Sequence, residues 1–190
     1  MVTARTWAQR RAQWWAPWWA PRCLAWALCV LASAVSAQYA APCSLVFGHG
    51  RNAAQGEVDS AAFWDGINRA LAQQVVADIA AQGHRAVLLF LPVTQTDQPA
   101  ILATVLERAS SERCDRVIET TLFANADDVI VARLRAYPLL RDANGLRVGS
   151  PFYSDQQEYP NTQRNRERLV PAQLGQALAE QYLRSQAPKP

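Results

Sequence analysis

Hydrophobic positions along the chain fall into continuous runs, helical stripes and alternating stretches, and the spacing changes at each candidate boundary. Ser44-Leu45-Val46-Phe47 is a short apolar run closed by Gly48-His49-Gly50, the pattern of a buried strand and its turn. From Phe63 to about Ala81, Trp64, Ile67, Leu71, Val75 and Ile79 recur every three or four positions. That spacing predicts a helix, with Asp59 or Ser60 as its cap and Gly83 as its left-handed terminator. Ala86 to Leu91 is a second apolar run, stopped by Pro92, and reads as a strand buried on both faces, as in a parallel sheet. Asp97 then precedes Pro99, and Ile101, Leu102, Val105, Leu106 and Ala109 form the stripe of a second helix.

After Cys114 the period changes from helical to alternating. Val117 to Phe123 predicts a third strand, and Asn125-Ala126-Asp127 a turn. In the fourth strand Ile130, Ala132, Leu134 and Ala136 lie on one face, Val131, Arg133, Arg135 and Tyr137 on the other. Asn144-Gly145 is a strong hairpin signal. It joins this strand to a fifth, Leu146 to about Tyr159, interrupted by Gly149 and Pro151. Pro171 opens a last helix carrying Leu174, Ala177, Leu178 and Tyr182, and residues 186–190 read as a disordered tail. The order β-α-β-α-β-β-β-α predicts one α/β domain, in two or three layers, with a mixed five-stranded sheet.

The first 37 residues stand apart. Arg5, Arg10, Arg11 and Arg22 carry all their charge, Cys23 to Ala37 carries none, and Val35-Ser36-Ala37 places small residues where a leader peptidase cuts. This is the pattern of a secretory signal peptide, leaving a domain over residues 38–185. The apolar run is roughly 15 residues, short of the ~20 a spanning helix needs. Trp14, Trp15, Trp18 and Trp19 keep open an uncleaved anchor at the inner membrane, which would be the only membrane contact. Arg10-Arg11 lies far from the apolar run and poorly matches a twin-arginine signal. Proline before Cys43 does not fit a lipobox. The expected compartment is a bacterial periplasm.

Subtracting the leader changes the charge. Nineteen Lys and Arg become 15 when its four arginines go, against 16 Asp and Glu, so the net charge of +3 becomes about −1. A nucleic-acid partner needs a clustered cationic excess that this domain lacks. Of four cysteines, Cys43 and Cys114 remain, and an oxidising compartment favours pairing them. If the first and third strands are parallel neighbours, both cysteines fall at one edge, within the ~4.4–6.8 Å between Cα atoms that a disulfide requires. The pair therefore predicts the strand order 2-1-3-4-5. Two buried free thiols are the alternative.

Candidate chemistry is sparse. Gly48-His49-Gly50-Arg51-Asn52 follows the first strand, where open α/β sheets bind ligands, so His49, Arg51 and Asn52 form a candidate ligand site for a small binding protein or hydrolase. The loop is neither a Walker loop nor a dinucleotide fingerprint. His84 sits at a helix end, where an imidazolium complements the helix dipole. Neither histidine has a spaced metal-ligand partner, and Asn125, Asp127 and Asp128 suit a turn as well as a calcium loop. No nucleophile elbow appears. The expectation is a non-enzymatic protein without cofactor or metal. Arg133 and Arg135, with Arg141 and Arg147 flanking the hairpin turn, form the densest cluster, to which Tyr137, Phe152, Tyr153 and Tyr159 add aromatic surface. Arginine and aromatics are what interface centres use, so Arg133, Arg135, Tyr137, Phe152 and Tyr153 are the candidate contacts for a partner. Glu119 on the neighbouring strand offers the competing account, in which cross-strand charge pairs simply solvate a face.

In element order, over Ser44 to about Ser185, the chain resembles a group of envelope domains. It has the short first strand, Phe63-Trp64 opening a helix that ends at Gly83-His84, an apolar strand, a second helix, a meander and a last helix. These are features of the amino-terminal domain of the Tol translocation protein, the periplasmic domain of the curli-secretion channel and the outer-membrane activators of penicillin-binding proteins. The resemblance implies a non-enzymatic adaptor in envelope assembly, secretion or cell-wall regulation, with another envelope protein as partner.

Overall fold

The computed structural model describes residues 42–50, 58–143 and 145–187. Residues 1–37, expected to be a leader, together with Arg51, Asn52, Asn144 and the end of the tail lie outside the described residues. The elements are β1 (Cys43–His49), α1 (Val58–Ala81), β2 (Arg85–Leu91), α2 (Gln98–Ser111), β3 (Arg116–Ala124), β4 (Val129–Asp142), β5 (Gly145–Val148), β6 (Tyr153–Pro160), α3 (Gln163–Arg168) and α4 (Pro171–Gln186).

The strands form one mixed sheet in the order β2-β1-β3-β4-β5, with β6 also on β4. β1 pairs in parallel with β2 and β3, and the remaining pairs are antiparallel. The expected order is therefore the observed one. The expected fifth strand is divided in two at residues 149–152. β5 pairs with Leu139–Asp142 and β6 with Val129–Ala136, because Pro151 has no N–H to continue a ladder.

Strand order also dictates the layers. The chain steps from β1 to β2 on one side, then crosses back over β1 to β3. Right-handed connections in opposite directions put their helices on opposite faces. Side chains sort accordingly. Val46, Ile118, Leu122, Ile130 and Leu134 bury against Trp64, Leu71, Val75 and Ile79 of α1 and Leu178 and Tyr182 of α4. Leu45, Phe47, Leu91 and Val117 bury against Ile101, Val105 and Ala109 of α2. Each fully buried leucine contributes ~1.5–3 kcal/mol relative to exposure.

Helix boundaries follow local chemistry. α1 begins at Val58, so Asp59 and Ser60 lie inside its first turn rather than before it, which corrects their expected role as caps. It ends at Ala81, and the turn that follows closes at Gly83, whose φ of +79° is the left-handed geometry glycine tolerates. Asp97 caps α2, accepting from Ala100 N–H at 3.5 Å, with Pro99 in the first turn. The short α3 buries none of its residues, so no apolar stripe announces it. Gly175 lets α4 approach α1, since a Cβ there would stand 2.7 Å from the Leu71 carbonyl oxygen.

The disulfide joins Cys43 to Cys114, with Cα atoms 4.3 Å apart. It sits where expected, at the shared edge of β1 and β3, beside the Asp115 N–H that donates to the Cys43 carbonyl at 3.0 Å. Among the described residues, no helix is long and apolar enough to cross a membrane.

Candidate partner-binding surface

The alternation of β4 does set Arg133, Arg135 and Tyr137 on one sheet face, opposite the α1 and α4 side. Across the ladder Arg135 stands against Glu119 and Arg133 against Thr121. The Tyr137 hydroxyl donates to Glu119 Oε2 at 2.8 Å. Burial raises the Tyr137 pKa first, the Glu119 charge raises it further, and Arg135 opposes both. Arg133 is only 9% exposed, and its guanidinium lies 5.5 Å from the centre of the Phe123 ring. A carboxylate, a phenol and a guanidinium thus satisfy one another on this face, as the cross-strand account expects. Little of Arg133 is open to a partner.

The aromatic candidates divide between the faces. Tyr153 is opposite Ala136 and Tyr159 opposite Ile130, which puts both on the α1 and α4 side. Tyr153 packs edge to face on Tyr182, ring centres 5.3 Å apart. Phe152, one residue earlier, is 48% exposed. The five sequence candidates therefore do not make one surface: Arg133 and Tyr153 belong to opposite packed faces, and Phe152 stands outside both. A two-residue strand period separates neighbours in just this way.

What the fold brings together instead is an arm made by the end of β4, β5 and residues 149–152. Leu139 and Leu146 anchor it against the α2-side core. Its outer face carries Leu140, 36% exposed, opposite exposed Arg147, while exposed Arg141 is opposite Leu146 on the other face. Arg147 Nε donates to Asp142 Oδ2 at 3.0 Å. Gly149 hugs the arm, since a Cβ there would meet Pro138 Cγ at 2.9 Å and Leu140 Cδ1 at 3.2 Å. Leu140 is a residue the sequence reading missed; its signal was an apolar side chain placed just before a charged hairpin turn.

The loop after β1 has a structural explanation. His49 Nε2 lies 3.0 Å from the Gln95 carbonyl, and its ring stacks on Phe47. Gly48 and Gly50 allow close packing: a Cβ would stand 2.8 Å from Ala72 Cβ at the first and 2.7 Å from Asn68 Nδ2 at the second. Arg51 and Asn52 lie outside the described residues, so His49 is the one member of that candidate site with a described environment. Asn68 is fully buried. Its Nδ2 donates to the Trp64 and Leu122 carbonyls, both at 2.8 Å, and its Oδ1 accepts from Leu122 N–H at 2.6 Å.

The other polar groups singled out from sequence are similarly occupied. Asn125 Oδ1 accepts from Asp127 N–H at 3.0 Å and Val129 N–H at 2.9 Å, and Asp128 Oδ1 accepts from Asn161 Nδ2 at 2.6 Å. His84 lines a cavity of about 280 Å³ with Arg116, Tyr182 and Ser44. There Arg116 donates to the Tyr182 hydroxyl at 3.3 Å and to Asp115 at 3.0 Å. Among the described residues, no group of three or more His, Cys, Asp or Glu is placed to hold a metal ion.

The fold and arm define a disulfide-linked α/β domain with a mixed six-stranded sheet. No family model matches the sequence, and no curated protein does. Among solved structures it is similar to the PelC dodecamer from Paraburkholderia phytofirmans, at 12% identity and a TM-score of 0.39, covering 75% of this chain and 86% of that one. The hypothetical protein CT253 from Chlamydia trachomatis gives 10% identity and a TM-score of 0.39, covering 76% of this chain and 95% of that one. The C-terminal domain of LpoB from Salmonella enterica gives 11% and 0.28, covering 63% and 82%. These are loose likenesses of fold.

Proposed function

We propose that this chain is an exported, non-enzymatic interaction module of the bacterial cell envelope, serving assembly, secretion or cell-wall regulation, that docks another envelope protein through the β4–β5 arm. The observation that carries the reading is the arm itself: exposed Leu140 stands opposite exposed Arg147 across the β4–β5 ladder, and exposed Phe152 lies on the segment that follows β5. Apolar and aromatic anchors beside arginine are the composition of interface centres. The partner surface it suits is acidic, with an apolar recess. The Cys43–Cys114 bond supports the exported part, because disulfides persist in oxidising compartments, and the leader pattern of residues 1–37 points the same way.

Crosslinking in intact cells followed by purification tests the proposal. Leu140→Ser with Phe152→Ser is expected to lose the co-purifying envelope protein, and Gln156→Ser, on the exposed side of β6, to retain it.

A further inference from the structure

The two lateral edges of the sheet are built differently. On one side β6 carries Asp155, Glu158 and Pro160, and β5 is only four residues long. Charge, proline and shortness are the means by which edge strands are kept from pairing with other chains. On the other side, among the described residues, β2 pairs with β1 alone, in unbroken register from Arg85 to Leu91. It has no proline, no bulge and no charge after its first residue. Arg85, the one residue able to guard it, is drawn aside onto α2's end, where it bonds the Glu112 carbonyl and carboxylate. Ala86 to Phe90 are half-buried, and among the described residues no strand pairs with the outer edge of this apolar strand.

We propose that β2 is a self-association edge: two copies of the chain pair their β2 strands antiparallel about a two-fold axis through Leu88, joining two sheets into one. An edge with unpaired N–H and C=O groups is completed by another strand, and a closed pair of identical strands requires the antiparallel two-fold. The register through Leu88 alone pairs all seven residues. It sets Ala86 against Phe90 and Val87 against Leu89, small against large.

The charges also permit an identical partner. Arg85 lies at one end of β2, on the face covered by α2. Arg69 of α1 lies near the other end, its guanidinium 4.2 Å from the centre of the Phe90 ring, on the opposite face. The two-fold brings the Arg69 end of one copy beside the Arg85 end of the other, and the sheet separates the two guanidinium groups. Neither arginine meets its like across the axis, and the uncharged interior of the strand selects no oppositely charged peptide. α1 and α2, which flank β2, come alongside their counterparts and add side-chain area to the strand pair.

Sedimentation of the purified protein over a range of concentration reads the mass directly. The expected result is a rise from one chain to two. Residues directly opposite on antiparallel strands hold Cβ atoms roughly 4.5–5.5 Å apart, so Leu88→Cys is expected to form a disulfide-linked dimer under mild oxidation, and Ser154→Cys on the guarded β6 edge is not. A protein that remains one chain at every concentration overturns the proposal, whatever other protein it retains. So does a dimer that links through Ser154→Cys, or at neither position. The mass of the unsubstituted protein decides the matter if Leu88→Cys fails to fold.

Discussion

Asn68 is the residue that ties α1 to the sheet. β1 stops pairing with β3 at Thr120, and the Asn68 carboxamide takes over, answering both backbone groups of Leu122. Each buried group left without a partner costs about 1–3 kcal/mol, so Asn68→Ala is expected to lower unfolding free energy by about 3 kcal/mol in urea titration. A loss below about 1 kcal/mol would show that other groups satisfy Leu122. An asparagine on the stripe of Trp64, Leu71 and Val75 is visible in sequence. Its partner, 54 residues away, is visible only once strand order places β3 under α1. Tyr137 makes the pH-dependent prediction at this scale. Its pKa is raised from 10.0, chiefly by burial and then by Glu119, so the fold favours the neutral phenol. That contribution is complete below the unfolded value of 10.0 and is lost as pH rises through the higher folded value. The thermal midpoint should fall above pH 10, and less steeply in Tyr137→Phe; equal slopes would remove Tyr137 from this account.

Among the elements, those with strong periodicity were legible and those without were not. The stripes of α1, α2 and α4 and the alternation of β4 emerge from apolar spacing because each has a face to bury. α3 buries nothing, and the first turn of α1 precedes its stripe, so neither was legible. β5 and β6 read as one interrupted strand because both continue along the same edge of β4, and only pairing reveals the break. The disulfide acts between elements, stapling the start of β1 to the start of β3 across a sequence separation of 71. Loop-closure entropy assigns a loop of this length roughly 4 kcal/mol. Cys43→Ser with Cys114→Ser is expected to lower the unfolding free energy from urea titration by about that amount, and reductant to lower that of the unsubstituted protein but not of the double variant. A reductant effect on both would place the effect elsewhere.

For the whole molecule, strand order was deducible because two cysteines and the right-handed crossover rule leave few alternatives. The interaction surface was less so. Arg133, Arg135 and Tyr137 share a face in the alternation, but sequence does not show that Glu119 and Phe123 engage them, nor that Tyr153 turns to Tyr182. Burial, a property of the assembled layers, moved the centre of the candidate surface from the middle of β4 to the arm at its end. The most direct test is recovery of a crosslinked envelope protein from intact cells. The expected outcome is recovery with the unsubstituted protein and with Gln156→Ser, and at least a tenfold loss with Leu140→Ser and Phe152→Ser combined, the truncation of two anchors being worth about 1.4 kcal/mol or more. Thermal unfolding should stay unchanged in all three. Equal recovery with the arm variant, at equal folded protein, would contradict the assignment of the arm as the docking surface.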